Sequence, residues 1–324
     1  MRVAIVGAGA LGCAIGATLT EGGLETWLVR RSAEQVAQLQ QHGLRVDDTA
    51  GSRIVDVRAT TQPAEIGAVD VVIVVVKAFH TEAAIRGSEP LIGENTVVVS
   101  MQNGLGQEDV IAGVIGRERV LAGRTYVGGV MVGLGHIRSG VAGRLSYLGE
   151  LDQPVTPRVR ALAHTLTAAG LTTIACDDMI ATCWDKLLVN VATGALAGIT
   201  GLTYGQFYDE PRVVATASAA VAEAIAVAHA TGVRLSMTDP AAVLRLAADG
   251  LGPDFKTSML QSLERGTRTE IDAVNGAVVR AGRAANIPTP VNDTLVACVT
   301  GIERAMIDRQ MAARHLADRS EVVL

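Results

Sequence analysis

The chain has 324 residues, 49% of them hydrophobic and 19% charged, which excludes a largely disordered polymer and gives room for two domains. A net charge of −5 and an aromatic content of 3% leave no basic footprint and few stacking residues, so nucleic acid is not an expected partner. The 35 glycines follow no Gly-X-Y period, and Cys13, Cys176, Cys183 and Cys298 form no CxxC and have no His at zinc spacing, so we expect no collagen-like helix, no metal site, and buried reduced thiols of a cytoplasmic protein.

Residues 2–6 read as a short buried strand, followed at once by Gly7-Ala8-Gly9-Ala10-Leu11-Gly12 and a helix-forming stretch to about Glu21. Arg2 and the small apolar residues after it imitate a signal peptide, but a phosphate-binding turn explains the same residues better. Residues 25–30 are a second strand, and Ser32 suits the N-cap of a helix containing Val36 and Leu39. Residues 69–76 form an apolar run with one acid, Asp70, near its start, as expected of a central parallel strand covered on both faces. The strongest run, 71–76, is far shorter than the roughly 18 residues of a membrane span, so no membrane segment is expected. Residues 96–100 are another strand. Strands alternating with helices predict an α/β fold, an N-terminal Rossmann domain with a doubly wound parallel sheet.

Residues 120–150 are Gly-rich and read as small strands and turns. A helix over 162–171 and a short strand to Ala175 close the first domain, 1–177. The second domain, 178–324, reads as all-helical, with helices over 179–198, 210–231, 239–250, about 268–286 and 291–312, punctuated by Pro211, Pro240, Pro288 and Pro290. The polar tail from about Arg314 is expected to be loose.

Gly-x-Gly-x-x-Gly between a strand and a helix is the dinucleotide fingerprint. The first glycine makes the turn, the second admits the pyrophosphate, the third packs helix on strand, and the helix N-terminus faces the phosphates. An acid at the end of the second strand would select NAD, but that position carries Arg30-Arg31, with Glu25 and Glu34 misplaced. Two guanidiniums suit the 2′-phosphate of NADP, the alternative being a solvated basic turn.

Other polar residues stand out in apolar company. Lys77 ends a strand at its carboxyl edge, where it either points at the cofactor crevice or faces water. Gln102-Asn103-Gly104 follows another strand and either touches a ligand or is an ordinary turn. Lys186 and Asn190 share a helix face in an apolar stretch, as functional groups or as a snorkelling Lys with a satisfied Asn. Glu270 falls on a helical stripe with Val274, Ala277 and Ala281, where a cation such as Lys186 would be its partner. Ser258 precedes that helix as a loop serine able to bind a carboxylate.

These residues resemble the 2-dehydropantoate 2-reductase (ketopantoate reductase) family from Met1 to about residue 307. The resemblance rests on Gly7–Gly12, Val76-Lys77, Gln102-Asn103-Gly104, Trp184-Asp185-Lys186-Leu187 with Asn190, and Thr257-Ser258-Met259. It continues through Thr269-Glu270-Ile271-Asp272, Asn275-Gly276 and Ile287-Pro288-Thr289-Pro290. It implies an active site in a cleft between the two domains and reduction of ketopantoate to (R)-pantoate by NADPH, a step toward coenzyme A. It also implies Lys186 as general acid, Glu270 at the substrate and cofactor end, Asn103, Asn190 and Ser258 on the substrate, and Lys77 by the cofactor. Hydride transfer to a 2-oxo carbon charges the carbonyl oxygen, and an ammonium aimed there stabilises it and delivers the proton.

Two positions depart from the family. Gly194 stands where a second asparagine is common, and a further substrate-side asparagine is replaced around Tyr204. A less polar lining favours a D-2-hydroxy acid dehydrogenase acting on a bulkier 2-oxo acid, unless Gly194 simply eases helix packing. A non-catalytic NADP-binding sensor is the third reading. The expected partner is a small 2-oxo acid, and the Ala-rich helical domain could offer a homodimer face.

Overall fold

The structure, a computed structural model, describes the backbone of residues 1–321 and the side chains of residues 1–312. The chain divides into two compact units, Met1–Thr182 and Cys183–Leu324.

The first unit opens with β1 (Arg2–Val6), α1 (Ala10–Glu21), β2 (Glu25–Val29) and α2 (Ala33–His42). In β1 Val3 and Ile5 face one core and Ala4 and Val6 another, so every apolar residue of the run is used. After α2 come β3 (Leu44–Asp48), β4 (Gly51–Val55), β5 (Arg58–Thr60), β6 (Val69–Val74), α3 (Thr81–Arg86), β7 (Ile92–Ser100) and α4 (Gln107–Ile115). The unit ends with β8 (Val120–Thr125), β9 (Gly128–Gly133), β10 (His136–Gly140), β11 (Ser146–Gly149), α5 (Pro157–Ala168) and β12 (Thr173–Ala175).

Eight strands form one sheet in the order β12-β11-β8-β7-β6-β1-β2-β5. All neighbours are parallel except β8 and β11, so the sheet is mixed at that edge. From β1 the chain builds outward through β2 and β5, then returns to β6 on the other side of β1. The switch point therefore lies at the carboxyl ends of β1 and β6, where such sheets bind ligands.

A second sheet, β4-β3-β10-β9, packs beside α1. The β3–β4 hairpin is absent from the sequence reading. Asp48 makes its turn by accepting a hydrogen bond from the Ala50 N–H at 2.8 Å. Strand β9 passes so close to α1 that a Cβ on Gly129 would stand 2.9 Å from the Ala10 carbonyl oxygen.

The second unit contains most of α6 (Met179–Thr200), followed by α7 (Tyr204–Tyr208), α8 (Pro211–Ala230), α9 (Pro240–Ala248), α10 (Ser258–Glu264), α11 (Asn275–Ala285) and α12 (Pro290–Glu321). The division between units falls in the first turn of α6 rather than ahead of it. Pro211 and Pro240 each occupy the start of their helix, where a missing N–H costs nothing. The helix expected over 268–286 begins only at Asn275. Thr269 accepts a hydrogen bond from the Ile271 N–H, and this local turn competes with helix ahead of α11. The tail expected to be loose from Arg314 has helical backbone to Glu321, and residues 322–324 lie outside the described residues. Helix α8 is long and apolar enough to cross a membrane by length and composition alone, a test that the core helix of a globular protein also passes. Its buried side, Ala217, Ala220, Val221, Ala224, Ile225 and Ala228, packs against its neighbours α9, α11 and α12.

Candidate active site

Gly7 leaves β1 at φ +97°, a conformation that side chains resist, and a Cβ there would lie 2.6 Å from the Val76 backbone nitrogen. Gly12 packs α1 on the strand ends, since a Cβ would lie 2.8 Å from the Gly7 carbonyl oxygen. Between them Gly9 is exposed, and a Cβ on it would meet only the Gly7 carbonyl oxygen, at 3.9 Å. Gly9 is also the N-cap of α1, with no side chain to cap it and no acid in the first turn. Helices α2, α5 and α9 are capped instead by Ser32, Thr156 and Asp239. The N–H groups and positive dipole end of α1 thus face an open approach, as an anion site requires. Ala8 is buried, and Ala10 and Leu11 are half-buried.

Arg30 and Arg31 follow β2 directly. Arg30 is half-buried and directs Nη1 at the Cys13 thiol, 3.4 Å away. Burial pushes that thiol up to about 11, against the opposing pull of Arg30. The exposed Arg31 places Nη2 3.4 Å from Nε2 of His80, bridging the loops after β2 and β6. Strand β6 ends at Val74, three residues before Lys77, although the Val75 N–H still donates across to the Val6 carbonyl at the end of β1. Lys77 is half-buried at the head of a short 3-10 turn, Ala78–His80. Asn103 is half-buried in the turn that follows β7. The first unit thus gathers Gly7 to Gly12, Arg30, Arg31, Lys77 and Asn103 around the carboxyl edge of its sheet.

The second unit carries the others. Lys186 and Asn190 lie one turn apart on α6, both half-buried, among the buried Trp184, Leu187, Leu188 and Val191. Ser258 is not a loop residue: it opens α10, exposed, behind the Thr257 N-cap. Glu270 is 7% exposed but stands in the turn ahead of α11, not on a helical stripe. Its carbonyl accepts from the Ala273 and Val274 N–H groups. Among the described residues no three His, Cys, Asp or Glu cluster as metal ligands would. Of the cysteines Cys13 and Cys183 are buried, but Cys298 is exposed, against expectation.

Sequence reasoning missed what surrounds the departures. Met259 lies over Gly194, and the Tyr204 hydroxyl meets Thr193 Oγ1 at 3.1 Å. Tyr204 also packs edge-on against Phe255, with centroids 4.9 Å apart, and burial raises its phenol pKa. These contacts join α6, α7 and the approach to α10, and no local spacing signals them.

Comparison with known proteins matches the family described as "Ketopantoate reductase PanE/ApbA" to residues 3–153, and its C-terminal counterpart to residues 178–303. A 2-dehydropantoate 2-reductase of Archaeoglobus fulgidus is 33% identical over 305 residues, covering 94% of this chain and 99% of its own. The chain belongs to the ketopantoate reductase family. Like its relatives it is an oxidoreductase acting on a CH–OH group. A crystal structure of a PanE/ApbA family ketopantoate reductase from Ralstonia eutropha JMP134 superposes with a TM-score of 0.86 at 34% identity, covering 94% of this chain and 99% of that one. D-mandelate dehydrogenase, solved as a ternary structure with NADH and anilino(oxo)acetate, superposes with a TM-score of 0.87 at 26% identity, with the same coverage. A Rossmann-like sheet domain followed by a helical domain is therefore the shared architecture.

Proposed function

We propose that this family member reduces 2-dehydropantoate to (R)-pantoate with NADPH. The observation that carries the reading is the uncapped, open N-terminus of α1 at the switch point of the parallel sheet. Gly7, Ala8, Gly9, Ala10, Leu11 and Gly12 fit a pyrophosphate there, and Arg30 and Arg31 fit a 2′-phosphate. Lys77, Asn103 and Glu270 would hold the cofactor's reacting end. When bound, the nicotinamide supplies the hydride that attacks the 2-oxo carbon. Lys186 stabilises the charge developing on the carbonyl oxygen and gives it the proton. Asn103, Asn190 and Ser258 orient the substrate by hydrogen bonds. The test is reduced-nicotinamide oxidation with NADPH and with NADH against a panel of 2-oxo acids. The reading requires ketopantoate with NADPH to give the highest kcat/KM.

Met259 over Gly194, and Tyr204 against Thr193 and Phe255, favour a second reading, reduction of a 2-oxo acid with a bulkier apolar side chain to a D-2-hydroxy acid. The likeness to D-mandelate dehydrogenase supports the same direction. In the panel assay this reading is chosen if an aryl or branched 2-oxo acid outpaces ketopantoate.

A further inference from the structure

Gln102 is 4% exposed and sits directly before Asn103. Its Nε2 donates to the Val76 carbonyl at 2.9 Å and to Thr81 Oγ1 at 2.8 Å. The Thr81 hydroxyl, itself 1% exposed, has two acceptors for its one proton, Gln107 Oε1 at 2.7 Å at the start of α4 and the Ala78 carbonyl, next to Lys77, at 2.8 Å. Ser100 Oγ lies within 3.4 Å of Gln102 Oε1. The bond to Val76 fixes the peptide immediately ahead of Lys77. Val76 is also the residue that walls Gly7. One buried amide therefore ties together the ends of β1, β6 and β7.

The same turn is pinned from its other side. Arg124 on β8 is 2% exposed. It donates to Glu108 Oε1 at 2.7 Å and to the Gly104 carbonyl at 3.2 Å. A buried ion pair gives little net stability compared with apolar packing, so its presence here points to geometry rather than to stability. A buried Gln or Thr left with an unmet partner would cost more than an exposed one, which makes the network all-or-none.

We propose that Gln102 and Thr81 are positioning residues that set Lys77 and Asn103 at a fixed separation for the cofactor. The inference rests on the reading that Lys77 and Asn103 bind NADPH. Neither Gln102 nor Thr81 need touch the ligand. Both act through the loops they join.

The experiment measures the Kd of NADPH by its fluorescence, well below each variant's Tm, for the full-length protein. Gln102→Met and Thr81→Val keep the volume and remove the hydrogen bonds. Each is expected to raise Kd about tenfold, the size of a lost hydrogen bond. Thr81→Ser keeps the hydroxyl and is expected to restore wild-type binding, which a purely volumetric role for Thr81 would not produce. Should Gln102→Met fail to fold, the Thr81→Val and Thr81→Ser pair decides alone. Lys77→Ala and Asn103→Ala are the controls. If these weaken binding while Gln102→Met and Thr81→Val leave Kd within about twofold of wild type, the positioning role is overturned and the cofactor reading stands. If the controls bind as wild type does, the cofactor reading fails and the inference falls with it.

Discussion

Gly194 on α6 faces Met259 on α10, and a Cβ on residue 194 would stand 3.5 Å from the Met259 Cε and Sδ atoms. One turn later Gly198 faces Leu263, whose Cδ1 would lie 3.3 Å from such a Cβ. The two glycines form a shallow seat on α6 that takes the apolar side of α10 and so sets Ser258 beside the helix of Lys186 and Asn190. The missing amide at 194 is a packing feature as well as a change in polarity.

Gly194→Ala is expected to stabilise the protein by about 0.5–1 kcal/mol, because its Cβ makes only ordinary contact and alanine suits a helix better than glycine. Gly194→Asn must displace the Met259 thioether and is expected to cost about 1–3 kcal/mol. Adding Met259→Ala should recover part of that loss and move selectivity toward the more polar 2-oxo acid. Urea unfolding of the three variants and their kcat/KM ratios check this. Equal costs for alanine and asparagine would show that Met259 does not fill the seat.

Lys186→Ala is expected to lower kcat by about 10²–10⁴, the range for losing a general acid, while the Kd of NADPH changes by less than about threefold. Single-turnover oxidation of bound NADPH separates the two quantities. A sensor that only binds the cofactor would show no turnover to lose, so the wild-type rate already discriminates.

The strand, glycine turn and helix at the N-terminus were legible because each residue there answers a local demand: Gly7 a left-handed turn, Gly12 a close approach, Val3 to Val6 burial on both faces. The second sheet was legible only in part: β9 and β10 fall in the stretch 120–150 that reads as small strands and turns, whereas β3, β4 and the pairing that joins them to β10 do not show in the sequence. Its central pair joins His136 to Arg45, residues far apart in the chain, and its glycines carry no periodic pattern. Glu270 read as helical because Val274, Ala277 and Ala281 follow at helical spacing, yet the Thr269 hydroxyl holds the backbone in a turn. Arg124 carried a visible signal, a charge closing the apolar run Val120–Gly123, but its partners Glu108 and Gly104 could only come from the fold.

Arg31 reaches His80 across the end of β1, which leaves its guanidinium exposed at the mouth of the switch point. Arg31→Ala is expected to weaken NADPH about tenfold, the size of one charge-assisted phosphate contact at an exposed site, and to leave NADH unchanged. Paired Kd measurements for the two nucleotides test it. A loss shared equally by both would assign Arg31 to fold support and not to the 2′-phosphate.

Cys13 lies beneath the glycine turn, its thiol donating to the Ala8 carbonyl at 3.2 Å. With its pKa raised by burial to about 11 from 9.0, it stays a neutral thiol near neutrality. Iodoacetamide at pH 8 is therefore expected to modify exposed Cys298 rapidly and Cys13 only on unfolding. The same shift has a sign for stability. A folded-state pKa above the unfolded value means the thiol's contribution is intact below pH 9 and is lost as pH rises toward 11. Wild type should thus lose up to about 2 kcal/mol more than Cys13→Ala across that interval, since each pKa unit is worth about 1.4 kcal/mol. Chemical unfolding at pH 8 and at pH 10.5 measures the difference. Parallel losses in the two proteins would mean that Cys13 ionises in the folded state as freely as in the unfolded chain.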